Sequence, residues 1–206
     1  MSSLSELQSD VLVEVFNLGM GQAAASLSQM VEEEILLSVP ELSFLPTEEA
    51  AKLLAQKASN SLTGVSQEFS GAFYGHAMLL FPERSSLELV RLLLQDSVPL
   101  DNLTEFEEEA LNEVGNIILN AGLSSLANTF DQEIITELPI FRQGNANDIL
   151  NDDAAQHNDE NLVLFLRVDF KLEKHAINGY VIFLLNVKSM NNLINHIDQY
   201  LAKLGA

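Results

Sequence analysis

The sequence predicts an α/β fold of the α+β kind. Two fused repeats, related by a pseudo-two-fold axis, share one largely antiparallel sheet with two long helices on one face. Three observations predict it. Asp10, Glu14, Asn17 and Pro40 reappear 99 positions later as Glu109, Glu113, Asn116 and Pro139. Each copy opens on a long stretch with helical apolar spacing and closes on a pair of strands and a helix. No Pro-, Gly- or Ser-rich linker divides the copies, so a shared sheet is expected rather than two separate beads. The whole chain, 1–206, reads as one domain, with repeat one over 1–100 and repeat two over 101–206.

The opening helices are expected over about 5–30 and 104–130. Leu4, Leu7, Val11, Val15 and Leu18 recur at helical spacing in the first. Ser5 with Gln8, and Thr104 with Glu107, have the form of capping boxes. A short extended segment follows, ending at Pro40 or Pro139. The copies then differ: Thr47–Lys57 looks helical, whereas Gln143–Glu160 looks like an acidic loop. From here the offset becomes 104. Gly75 matches Gly179, and Met78-Leu79-Leu80-Phe81 matches Ile182-Phe183-Leu184-Leu185. In repeat two, Leu164, Leu166, Val168, Phe170 and Leu172 alternate with Arg167, Asp169 and Lys171, a half-buried antiparallel strand. Its partner is about Ala176–Leu185. Closing helices are expected at Ser85–Gln95, with Ser85 and Glu88 as a further capping box, and at Ser189–Leu204.

Composition narrows the function. The chain has 206 residues, 47% apolar and 19% charged, with 10 Lys and Arg against 30 Asp and Glu, for a net charge of -20. That balance argues against nucleic acid and against anionic membrane surfaces. There is no Cys, which excludes disulfides, thiolate catalysis and Cys-ligated zinc. No apolar run approaches a membrane span, and the first residues lack the pattern of a signal peptide, so a soluble cytoplasmic protein is expected.

The long helices carry a polar ridge. At 100° per residue, Asp10, Glu14, Asn17 and Gly21 fall within about 60° of one another. Glu109, Glu113, Asn116 and Asn120 repeat the ridge. One such ridge is what any solvated helix face looks like. Two in the same phase are not explained that way, and Asn is a mediocre helix former. Gly19 and Gly21 suggest close approach of another backbone.

The spacing Asp10-x3-Glu14-x2-Asn17-x22-Pro40, with its echo Glu109-x3-Glu113-x2-Asn116-x22-Pro139, resembles the duplicated signature of the CheC/CheX/FliY family of chemotaxis phosphatases. The flanking text agrees: Glu14-Val-Phe-Asn-Leu-Gly-Met-Gly-Gln-Ala-Ala and Glu113-Val-Gly-Asn-Ile-Ile-Leu-Asn-Ala-Gly. Two signatures in one chain are the CheC pattern, whereas CheX-type chains carry one. The resemblance covers nearly the whole chain. It implies an enzyme that dephosphorylates the phosphoaspartate of the response regulator CheY, and in some members a complex with the deamidase CheD. The first signature position is usually Asp or Ser; Glu109 departs by one methylene and keeps the charge.

An aspartyl phosphate has a good leaving group, so hydrolysis needs an in-line water and charge compensation more than a strong base. The resemblance implies that the regulator brings Mg²⁺ and a Lys. Asn17 or Asn116 can hold the water, since a carboxamide both donates and accepts. Glu14 or Glu113 then pairs with the regulator's Lys. Pro40 and Pro139 shape the surface beside the ridge. No metal, nucleotide or organic cofactor is expected in the chain itself.

Two other readings stand beside this one. The first is a non-catalytic module that binds a response regulator or CheD. The second is a carboxylate metal site between the long helices. Such sites use Glu-x-x-His, and here the fourth residue is Asn, a poor transition-metal ligand. His76, His157, His175 and His196 show no ligand spacing. Gly19-x-Gly21 lies within a helix and is no dinucleotide fingerprint. The loop Asp148–Glu160 lacks the Gly and bidentate Glu of a calcium site. Met20 and Met30 fit core positions, and Ser124-Ser125 lacks the context of a nucleophile elbow.

Overall fold

A computed structural model describes residues 4–32, 34–57, 61–94, 103–154, 161–172 and 175–205. Repeat one contains α1 (Glu6–Val31), β1 (Ile35–Pro46), α2 (Thr47–Lys57), β2 (Leu62–Gly71), β3 (Gly75–Pro82) and α3 (Glu83–Leu93). Repeat two contains α4 (Leu103–Phe130), β4 (Ile134–Thr136), β5 (Ile140–Gly144), α5 (Ala146–Ala154), β6 (Asn161–Leu172), β7 (His175–Asn186) and α6 (Val187–Leu204). The order of elements is the same in both, with β4 and β5 together standing where β1 stands. None of the described helices is long and apolar enough to cross a membrane.

The halves interleave in one sheet of order β1-β6-β7-β3-β2-β4, with β5 also on β2. All pairs are antiparallel. At the centre, β3 and β7 pair with Met78 opposite Ile182. These two residues are 104 positions apart, the offset at which the sequence repeats there. An antiparallel pair that sets equivalent residues opposite each other has a local two-fold axis through that pair. Each outer strand crosses over: β1 of repeat one lies on β6 of repeat two, and β4 and β5 of repeat two lie on β2 of repeat one.

Alternation along the strands divides the core in two. Ala77, Leu79 and Phe81 of β3, with Val181, Phe183 and Leu185 of β7, face α1, α3, α4 and α6. Met78, Leu80, Ile182 and Leu184 face α2 and α5. The sheet is therefore the middle of three layers. Burial of each large side chain here is worth about 1.5–3 kcal/mol. Coverage on both sides also explains β6. Val163, Leu164, Phe165 and Leu166 are all buried, and only from Arg167 onward does the expected half-buried alternation hold.

Several local expectations change. The acidic loop proves to be helical in its first part: α5 begins at Ala146, 99 positions after Thr47, and buries Ala146, Ile149 and Leu150 against α2. Asn145 caps it by accepting from the Asp148 N–H at 3.0 Å. The rest of that loop, 155–160 with His157, lies outside the described residues. Ser5 and Gln8 form the expected capping box. The box at Ser85 does not form, and the Thr104 side chain lies outside the described residues. Helix α4 starts before Thr104, and Glu107 turns inward to Ser86. Helix α3 starts at Glu83 after Pro82, leaving Ser85 inside the helix; Gln95 lies outside the described residues. The buried face of α1 is also rotated from the expected one: Leu12, Val15, Phe16, Met20, Ala23 and Leu27 are buried, while Leu7, Leu18 and Met30 are exposed.

The long helices lie against each other on one face. A Cβ at Gly19 would fall 2.8 Å from the Ala121 carbonyl oxygen, so the α1 and α4 backbones touch there. Ser125 reinforces the contact by donating to the Val15 carbonyl at 2.6 Å. A Cβ at Gly21 would meet nothing within 4 Å, so the close approach expected there is absent. Gly19→Ala should therefore cost about 1–3 kcal/mol in urea unfolding, while Gly21→Ala should gain about 0.5–1 kcal/mol. Equal effects at the two positions would contradict this packing.

Glu107 is a buried carboxylate at the α3–α4 contact, accepting from the Ser86 hydroxyl. Burial raises its pKa from the ordinary 4.5; the Ser86 bond works against this, and the charge of Glu83 adds to it. The native state thus holds the proton more tightly than the unfolded chain. Stability falls as pH rises through the interval from 4.5 to the raised value. Glu107→Gln keeps an acceptor for Ser86 and removes the titration. Its melting temperature should match wild type below that interval, exceed it increasingly across the interval, and stay above it by a constant margin beyond. A difference that is constant with pH would contradict the assignment.

Candidate functional site

The two ridges have the same exposure, residue for residue. Glu14 and Glu113 are exposed, as are Asp10 and Glu109, and Asn17 and Asn116 are half-buried. The neighbouring core residues set this orientation: Val15 and Phe16 in α1, and Val114 in α4, are buried and turn each Glu outward. Gly115 allows α4 to sit directly on β2, since a Cβ there would lie 2.1 Å from a Val65 methyl.

The Pro at the end of each signature sits where the edge pairing is interrupted. β1 shifts register against β6 between Ser38 and Glu41, a segment that contains Pro40. In repeat two the break between β4 and β5 contains Pro139. Pro has no N–H to give to a ladder, so the pairing is interrupted at each. In repeat one, Asn17 meets the backbone at that interruption. The Val39 N–H donates to Asn17 Oδ1 at 2.9 Å. The 22-residue spacing therefore carries the chain from the helix ridge out to β1 and back against the same Asn.

In repeat two the four signature residues are handled differently. Asn120 Nδ2 donates to Asn116 Oδ1 at 2.7 Å. Gln67 Nε2, from β2 of repeat one, donates to Asn120 Oδ1 at 3.1 Å and to the Glu137 carbonyl at 2.6 Å. Glu109, Glu113, Asn116 and Pro139 line one open groove of about 850 Å³ with Met30, Glu108, Asn112 and Leu138. Three carboxylates face this groove, and no Lys, Arg or His lies among its described lining residues. Leu138 and Met30, 80% and 44% exposed, give it an apolar rim. The core position expected for Met30 is thus corrected, whereas Met20 is buried as expected.

The structure brings the four signature residues of repeat two to one groove. Sequence reasoning did not find Gln67, Leu138, Asn112 or Glu108. Gln67 comes from the other repeat, so no spacing within one repeat could reveal it. No group of three or more His, Asp or Glu among the described residues is arranged to hold a metal ion.

No family model matches the chain. It is 24% identical over 141 residues to the CheY-P phosphatase CheC of Bacillus subtilis (strain 168), covering 67% of each chain. In fold it is similar to Thermotoga maritima FliY, with a TM-score of 0.77 and 18% identity over 96% of this chain and 98% of that one. It is also similar to FliM of the H. pylori FliM-SpeE complex, with a TM-score of 0.69 and 10% identity over 96% and 97% of the chains. The chain is thus similar in sequence to CheC and in fold to FliY, two members of the CheC/CheX/FliY family that its doubled signature resembles.

Proposed function

We propose that residues 1–206 form one domain of two repeats that hydrolyses the phosphoaspartate of a CheY-type response regulator. Asn17 and Asn116 hold the attacking water, and Glu14 and Glu113 pair with a lysine of the regulator. One observation carries this reading: the same geometry occurs twice. In each copy an exposed Glu stands one turn before a half-buried Asn whose carboxamide oxygen is already anchored. The B. subtilis relative, named a CheY-P phosphatase, supports it.

The electrostatics of the second groove favour the same substrate class. With three carboxylates and no cation in its described lining, it offers no charge compensation to a free phosphate dianion. The phosphoryl group must arrive with its own charge compensation, as it does on a protein that supplies a Lys and Mg²⁺. Water attacks phosphorus, the bond from phosphorus to the aspartyl oxygen breaks, and the carboxylate leaves with that electron pair. The water oxygen stays on the phosphate, and its proton passes to phosphate or solvent. An acyl phosphate needs no strong base for this, so a neutral amide that fixes the water suffices. On this reading the chain brings no cofactor of its own.

The second reading is a non-catalytic module that docks a response regulator or a CheD-type deamidase. The similar fold of FliM, described in a complex with SpeE, supports it, since that fold serves a protein–protein assembly there.

Asn17→Ala and Asn116→Ala should each remove one site, at a cost on the order of a hundredfold in the rate of that site. The double variant should release phosphate from the regulator no faster than the regulator alone. Asn17→Ala also strands the Val39 N–H, so its melting temperature should fall below that of Asn116→Ala. Glu14→Ala and Glu113→Ala should weaken regulator binding as well as rate. The wild type should leave p-nitrophenyl phosphate intact. A folded double variant with undiminished release would favour the module.

A further inference from the structure

The two asparagines end up with the same polarity by unrelated means. Carboxamide oxygen and nitrogen are nearly alike in shape, so their orientation must be argued from partners that have no ambiguity. In repeat one that partner is the Val39 N–H, which can only donate; Asn17 therefore meets it with Oδ1. In repeat two the fixed point is the Glu137 carbonyl, which can only accept. Gln67 must turn Nε2 toward it, and the same Nε2 then faces Asn120. Asn120 must answer with Oδ1, which turns its Nδ2 to Asn116, and Asn116 must answer with Oδ1. The chain runs one way, from a backbone carbonyl through two side-chain amides to Asn116.

We propose that Gln67 and Asn120 are positioning residues that lock Asn116 with its N–H₂ facing the groove, so that both Asn17 and Asn116 meet the reacting oxygen as donors. This rests on the phosphatase reading above. A donated N–H occupies one lone pair of the water oxygen and leaves the other for phosphorus. Gln67 shows the expense of the arrangement. It is 1% exposed, and its Oε1 is buried without a partner. An orphaned buried acceptor destabilises the fold, and an apolar residue of similar shape would avoid that cost. The relay has no counterpart in repeat one. The position equivalent to Asn120 is Gly21 and that equivalent to Gln67 is Lys171, because the Val39 N–H already fixes Asn17.

The relay therefore serves one site only, and this makes it testable. Gln67→Met keeps the volume and removes both donated bonds. With Asn17→Ala, which leaves only the second site, Gln67→Met should lower kcat for phosphorylated regulator on the order of tenfold or more with KM little changed. With Asn116→Ala, which leaves only the first site, it should change neither. Asn120→Ala, on a half-buried position, should give the same pattern and stands in if Gln67→Met does not fold. Equal losses in both backgrounds, or no loss with Asn17→Ala, would overturn the proposal. A second measurement is independent of activity: the Asn120 side-chain amide protons, followed by NMR hydrogen exchange, should be protected in the wild type and lose that protection in Gln67→Met. If the Asn17→Ala, Asn116→Ala double variant keeps full activity, the phosphatase reading fails and this measurement alone decides the relay. Unprotected Asn120 protons in the wild type would overturn it.

Discussion

The structure depends on one contact more than any other: the antiparallel pairing of β3 with β7, in which Met78 faces Ile182. Because these residues are repeat equivalents, the pairing fixes a two-fold relation between the halves. Each half then presents its long helix to the same side of the sheet. The two helices can share that side only if their backbones approach closely, and Gly19 beneath Ala121 permits it. With their apolar faces held between partner helix and sheet, α1 and α4 have one direction left for polar groups. The ridges of Glu and Asn are the result. Their exposure follows from the packing and needs no further device.

Symmetry of the fold does not extend to the means by which each site is held. Both asparagines have an anchored carbonyl, one on a backbone N–H and the other on a relay of side chains that begins in the opposite repeat. Each solution depends on a local feature of the edge pairing. The bulge in β1 keeps one strand continuous and brings its N–H to Asn17. The wider break between β4 and β5 brings the Glu137 carbonyl to Gln67 and leaves Leu138 exposed at the groove. A change in one edge strand has thus been matched by a change in what orients the Asn.

Much of this was legible in the sequence. Composition, the 99-residue repeat and the signature spacing led to the fold class and the long helices. What failed was local. The capping box at Ser85 has the right residues, but α3 begins earlier, at Glu83, and Glu107 is drawn inward by Ser86. Helix α5 was hidden because its sequence is acidic; Ala146, Ile149 and Leu150 are enough to pack it once α2 is beside it. The buried face of α1 was misplaced because Leu7 and Leu18 fit a helical spacing as well as the true core residues do. Gln67 could not be read at all, since a single Gln in a strand gives no sign of the amide it will meet across the repeat boundary.

We propose that the paired ridges turn over an acyl phosphate and do not merely bind it. The most direct test follows a CheY-type regulator labelled from acetyl phosphate, with the chain present at one-tenth its concentration. Loss of label should accelerate, with several regulator molecules dephosphorylated per chain. Loss at the regulator's own rate, with binding retained, would contradict this proposal.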